Sequence, residues 1–117
     1  MQKVLIVEDD LFLADLMQDC LSVSYDVTSV NTGKDALEQL QSGGFNVIVL
    51  DWRLPDMDGL DIMKQYRQNS GTAKIIMLSG MRGRQNDGLE GGADRFITKP
   101  FKIEEIVATV KEMAADV

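Results

Sequence analysis

The sequence contains no histidine. That absence excludes Ser-His-Asp and Cys-His nucleophilic catalysis, and it removes His-ligated zinc. It also means that the chain cannot be the histidine donor of a phosphorelay. Cysteine is nearly absent too: Cys20 stands alone, so no internal disulfide forms, which fits a reducing cytoplasm. Cys20 falls on the apolar side of a helical pattern with no His to activate it, and a buried structural thiol is expected. No stretch approaches the ~20 apolar residues that a membrane helix needs, and the apolar start is too short for a signal peptide. The expectation is a cytoplasmic chain without membrane contact. Long runs of one charge are missing as well, and the net charge of -7 argues against gripping nucleic acid or an anionic membrane. Met81-Arg82-Gly83-Arg84 is a local basic exception, read as a solvated loop.

What is present is an ordinary globular composition, 44% hydrophobic and 26% charged, which speaks against disorder. A length of 117 residues suits one domain with one core, spanning residues 1–117. Strand and helix patterns alternate. Lys3–Val7 is a short β-branched run. Apolar residues at Leu11, Ala14, Leu16, Met17, Cys20 and Leu21 then follow helical spacing, with Asp9 or Asp10 as N-cap. Tyr25–Val30 alternates as a strand. Thr32 and Asp35 open a helix that Gly43-Gly44 ends. Phe45–Leu50 and Lys74–Leu78 are apolar almost throughout, as in strands covered on both faces. A helix is expected from about Gly59 to Gln68, a last strand over Arg95–Thr98 and a last helix from Ile103. Five glycines between positions 80 and 92 weaken the remaining helix, expected to be short or frayed near Gln85–Glu90. Alternating βα units predict a doubly wound, five-stranded parallel sheet with right-handed crossovers, flavodoxin-like (βα)5, in the order 2-1-3-4-5.

Four of the apolar runs end on reactive side chains. Val4–Val7 stops at Glu8-Asp9-Asp10, Val47–Leu50 at Asp51, Ile75–Leu78 at Ser79 and Phe96–Thr98 at Lys99. In parallel strands these ends share one rim, and the switch point between the first and third strands sets Asp9 against Asp51. Adjacent carboxylates repel unless a cation lies between them, and oxygen-only ligation suits Mg2+. Asp51 ends a fully apolar strand, a costly place for an unpartnered charge. As a metal-bound carboxylate it can attack phosphorus and form an acyl phosphate. Lys99 supplies a point charge to phosphoryl oxygens and Ser79 a hydroxyl. Asp56-Met57-Asp58-Gly59 is no calcium loop, because Leu54 stands where the first acidic ligand belongs; its acids are expected to cap the helix starting near Gly59.

Over essentially its whole length the chain resembles a response-regulator receiver domain of bacterial two-component signalling, in the CheY-like superfamily. The resemblance is carried by Val4–Asp10, by Val49-Leu50-Asp51-Trp52-Arg53-Leu54-Pro55-Asp56-Met57-Asp58-Gly59, and by Gly92–Phe101 with its Lys99-Pro100. It implies that Asp51 takes a phosphoryl group from a sensor histidine kinase or phosphotransfer protein. It implies Mg2+ on Asp9, Asp51 and the backbone carbonyl of Arg53, with Glu8 assisting through water. Lys99 and Ser79 would meet the phosphoryl group, and Lys99-Pro100 would be cis. Ser79 and Phe96 would move on activation and reshape an output face, which a receiver dimer could use. The departures from the family pattern are Ser79 for the commoner Thr, Gly80 for a small Ala, Phe96 for Tyr, and a glycine-rich segment before Lys99 about two residues shorter than in chemotaxis-type relatives.

Such a domain is no enzyme beyond its own phosphorylation and dephosphorylation. Two other readings remain: a phosphorylation-independent interaction domain on the same fold, and a receiver fragment of a DNA-binding transcription regulator. An Asp-nucleophile phosphatase would need an acid two residues after Asp51, where Arg53 stands.

Overall fold

The structure, a computed structural model, describes residues 1–80, 87, 89 and 91–116. Strands and helices alternate as β1 (Lys3–Val7), α1 (Leu11–Leu21), β2 (Asp26–Val30), α2 (Gly33–Ser42), β3 (Val47–Asp51), α3 (Gly59–Gln68), β4 (Lys74–Ser79), β5 (Arg95–Thr98) and α4 (Ile103–Ala115). The sheet is parallel throughout, in the order β2-β1-β3-β4-β5. The helix expected near Gln85–Glu90 lies outside the described residues, except for Asp87 and Leu89, which are helical. The basic stretch Met81–Arg84 lies outside them as well.

Successive strand residues point to opposite faces, so each apolar strand feeds two cores. Val4, Ile6, Val47, Val49, Ile76 and Leu78 meet Met17 and Leu21 of α1 and Ile106, Val110 and Met113 of α4. Leu5, Val7, Ile48, Leu50, Ile75 and Met77 meet Ala36 of α2 and Ile62 and Met63 of α3. This two-sided burial explains the near-continuous hydrophobic runs of β1, β3 and β4.

The apolar face expected for α1 is narrower in the structure. Ala14, Met17 and Leu21 are buried, at spacings of three and four, whereas Leu11 is 62% and Leu16 37% exposed. Cys20 is half-buried rather than buried, since it flanks that stripe instead of lying in it. Asp10, not Asp9, caps α1, accepting the Leu13 amide at 3.2 Å.

Arg67, at the end of α3, anchors the chain entering β4 and β5. Its guanidinium donates to the carbonyls of Gly71, Ala73 and Gly92 and to the Asp94 carboxylate. Asp94 in turn accepts the Ile75 amide at 2.9 Å. All five guanidinium N–H groups can be used in such a fork, which a lysine could not reproduce.

Candidate functional site

The carboxyl end of the sheet gathers the reactive residues through strand register. Val7 pairs with Leu50, Asp51 with Leu78 and Ser79 with Thr98, so the residues that follow or end these strands lie along one rim. Glu8 is wholly buried, Asp51 4% and Ser79 2% exposed, while Asp9 is exposed. Carboxylate oxygens of Glu8, Asp9 and Asp51 all lie within 4.8 Å of one another. Two buried acids and one facing solvent, with oxygen donors only, fit a hard divalent cation reached from outside.

Lys99 already neutralises part of this cluster. Its ammonium donates to Glu8 Oε1 at 2.9 Å and to Asp51 Oδ2 at 3.1 Å, and its amide donates to the Ser79 carbonyl at 2.8 Å. The peptide bond from Lys99 to Pro100 is cis, as the resemblance implied. Burial, then the neighbouring Asp51 carboxyl, push the Glu8 carboxyl up to about 8. Burial alone would lower the Lys99 ammonium, but the Glu8 and Asp51 acids outweigh it and raise it.

The raised Glu8 value makes stability depend on pH. Folding favours the protonated acid, so the stabilisation is complete below the ordinary value of 4.5 and is lost as pH rises through about 8. In the absence of divalent cations, Tm is expected to decline across that interval. A divalent cation held by the ionised acids would flatten the decline, with protons released on binding. Melting curves at several pH values with Mg2+ and with EDTA check this; a flat profile in EDTA contradicts it.

The turn after β3 is held close to the acids. The Arg53 amide donates to Asp51 Oδ1 at 3.3 Å, and Arg53 pairs across the turn with Asp58. Gly59 packs its Cα on the Asp51 carbonyl oxygen, which an added methyl would strike. Gly59→Ala is therefore expected to cost about 2 kcal/mol through overpacking, read by urea unfolding, and to slow any chemistry at Asp51. A variant as stable as wild type would show that the backbone yields there.

Beside Asp51, Trp52 is buried and meets Phe96 edge-on, with ring centroids 6.1 Å apart at 67°. Phe96 itself is half-buried. The expected caps for α3 differ from the structure: Asp58 takes the cap position without a side-chain hydrogen bond, and Asp56 turns away to the first turn of α2. That turn offers the Gly33 and Lys34 amides, which have no partner within their own helix.

Glu8, Asp9, Asp51 and Lys99 are thus brought together, Ser79 ends the adjacent strand, and Arg53 follows on the turn. A family model described as the response regulator receiver domain matches residues 4–111. The chain is 40% identical to the response regulator ArlR of Staphylococcus saprophyticus over 116 residues, covering 97% of this chain and 52% of that protein. It is 39% identical to the alkaline phosphatase synthesis transcriptional regulatory protein PhoP of Bacillus subtilis, covering 94% and 47% respectively. It therefore spans about half the length of these relatives. Among solved structures, the Francisella response regulator 1452 receiver domain superposes with a TM-score of 0.94 at 30% identity, over 99% of this chain and 98% of that one. The BeF3-activated DrrB receiver domain superposes with a TM-score of 0.88 at 31% identity, over 97% of each.

Proposed function

Because the chain belongs to the response regulator receiver domain family, we propose that it works as a phosphorylation-activated signalling switch with Asp51 as its phosphoacceptor. The observation that carries this is the Lys99 ammonium held 3.1 Å from the Asp51 carboxylate, inside the Glu8-Asp9-Asp51 cluster. A carboxylate so placed is buried, oriented and opposite a cation, the arrangement that in-line attack on phosphorus requires.

The donor in this reading is a phosphohistidine on a histidine kinase or phosphotransfer protein, since the chain has no histidine of its own. An Asp51 oxygen bonds to phosphorus while the bond from phosphorus to the imidazole nitrogen breaks, and that nitrogen keeps the electron pair. Asp9, Asp51 and the Arg53 backbone carbonyl would hold Mg2+, with Glu8 acting through water; when bound, the ion neutralises charge on the transferring oxygens. Lys99 exchanges carboxylate contacts for the new phosphoryl oxygens. Ser79, one strand over, turns its hydroxyl toward the same group, and Phe96 follows it inward. The only chemistry assigned is on the chain's own aspartate: Arg53 stands where a general acid for turnover of other substrates would be needed.

The length and names of the relatives support a further reading, in which this receiver controls a transcription regulator. Those proteins run to about twice its length, and several are named as transcriptional regulators. No helix among the described residues is long and apolar enough to cross a membrane.

Trp52 tests the switch. Adding acetyl phosphate with Mg2+ is expected to change its emission, because Phe96 rests on the indole. In Phe96→Ala the phosphoryl group should still be taken up with most of that change gone. An identical response from Phe96→Ala would remove Phe96 from the switch.

A further inference from the structure

Asp56 is exposed and stands outside the acid cluster, yet both of its carboxylate oxygens are engaged. Oδ1 accepts the Gly33 amide at 2.8 Å and Oδ2 the Lys34 amide at 2.9 Å. Both amides belong to the first turn of α2, which already has a cap of its own. Thr32 accepts the Asp35 amide through its hydroxyl at 3.2 Å and the Ala36 amide through its carbonyl at 3.1 Å. Asp56 thus takes the two first-turn amides that Thr32 leaves over, so the Gly33, Lys34 and Asp35 donors of α2 are all satisfied. The contact is charge-assisted and favoured by the helix dipole. The Gly33 and Lys34 amides accordingly hold the Asp56 carboxyl below its ordinary value. Next to it, Met57 packs so closely on Gly33 that an added methyl would run into its side chain.

This contact fixes the tip of the turn Leu54-Pro55-Asp56-Met57. Its base is closed by the pairing of Arg53 with Asp58 and by the Gly59 amide, which donates to the Trp52 carbonyl at 2.6 Å. The Arg53 amide reaches Asp51 Oδ1 at 3.3 Å. The base is therefore continuous with the phosphoacceptor strand, while the tip is tied to a different helix. Without the tie, the tip keeps only the apolar packing of Leu54 and Met57, and its polar anchor is the 53–58 pair at the base.

We propose that Asp56 is a positioning residue for the divalent cation: by tethering the turn to α2, it holds the Arg53 backbone beside Asp51 in the orientation that the cation needs. The inference rests on the reading of Glu8, Asp9, Asp51 and Arg53 as a Mg2+ site. Asp56 touches no ligand atom and acts through the turn alone. Groups that orient ligands from behind commonly change metal affinity 10- to 100-fold when removed.

Mg2+ titrations followed by Trp52 emission compare wild type with Asp56→Ala, Asp56→Asn and Thr32→Ala. Uptake from acetyl phosphate is measured beside them at low and at saturating Mg2+. Asp56→Ala is expected to weaken Mg2+ binding about 10-fold, with the uptake rate at saturating Mg2+ close to wild type. Asp56→Asn, which keeps one accepting oxygen, should fall between the two and rescue part of the affinity. Thr32→Ala loosens the same helix end without touching the turn and should bind Mg2+ as wild type does. Wild-type affinity in both Asp56 variants, whatever their Tm, overturns the proposal. So does an equal loss in Thr32→Ala, because helix integrity rather than the tether would then set the affinity. A wild-type chain whose Trp52 emission and Tm ignore Mg2+ removes the metal reading itself, and the inference with it.

Discussion

Asp51→Asn is expected to take up no phosphoryl group from acetyl phosphate under conditions in which the wild type does. The substitution replaces the attacking oxyanion with an amide of nearly the same shape. It keeps an oxygen that can accept the Arg53 amide, which Asp51 does at 3.3 Å. It also removes one of two buried acids whose oxygens lie within 4.8 Å of each other. Folding without Mg2+ should change little, because Lys99 keeps Glu8 as a partner at 2.9 Å and the Asp51 charge that pushes the Glu8 carboxyl up has gone. Intact mass and urea unfolding on the same preparation separate the effects. Stability retained with uptake lost assigns the chemistry to Asp51. Undiminished uptake would place the nucleophile elsewhere.

Lys99→Ala is the change with the largest expected cost in stability. Glu8 is fully buried, Asp51 nearly so, and the Lys99 ammonium bridges them at 2.9 and 3.1 Å. Removing it leaves buried carboxylates without their cation, a loss of about 3 kcal/mol at neutral pH. This is the lower end for such pairs, because the Lys99 side chain keeps 26% of its exposure. The deficit is expected to grow as pH rises through about 8, where Glu8 ionises and comes to need the ammonium as well. It is expected to shrink at neutral pH when Mg2+ is added. In the switch proposed above, in which Lys99 meets the phosphoryl group, uptake should persist at a reduced rate with little change at Trp52. Urea titrations at two pH values, with and without Mg2+, check the first part. A deficit independent of both pH and Mg2+ would mean that Lys99 contributes packing rather than charge.

Most of the sheet and its rim can be read from the sequence, for a physical reason. β1, β3 and β4 are covered on both faces, so they appear as unbroken apolar runs, and the residue after each run must lie at the sheet edge. Glu8, Asp51 and Ser79 were legible by that rule, and Lys99 by following the shorter, partly exposed β5 beside them. Helix faces were less so. Leu11 and Leu16 have the right residue type but sit beside the stripe that touches the sheet, and only packing distinguishes the two. Contacts between distant segments left no trace. Asp56, two residues before Asp58-Gly59, reads locally as a cap for the next helix, while its partners Gly33 and Lys34 lie more than twenty positions back. Arg67 at the end of α3 spends donors on the Gly71 and Ala73 carbonyls just beyond its helix and on Gly92 and Asp94, at least twenty-five positions on, and only the fold brings the latter two to it.

The most direct test of the account is chemical trapping at residue level. Wild-type chain is incubated with acetyl phosphate and Mg2+, reduced with borohydride, and digested for peptide mass mapping. Borohydride converts an aspartyl phosphate to the corresponding alcohol and leaves free carboxylates and phosphoserine untouched. Homoserine is expected in place of Asp51, absent when EDTA replaces Mg2+ and absent from Asp51→Asn. Reduction at another acid such as Asp9, a stable phosphate on Ser79, or no adduct at all would contradict it.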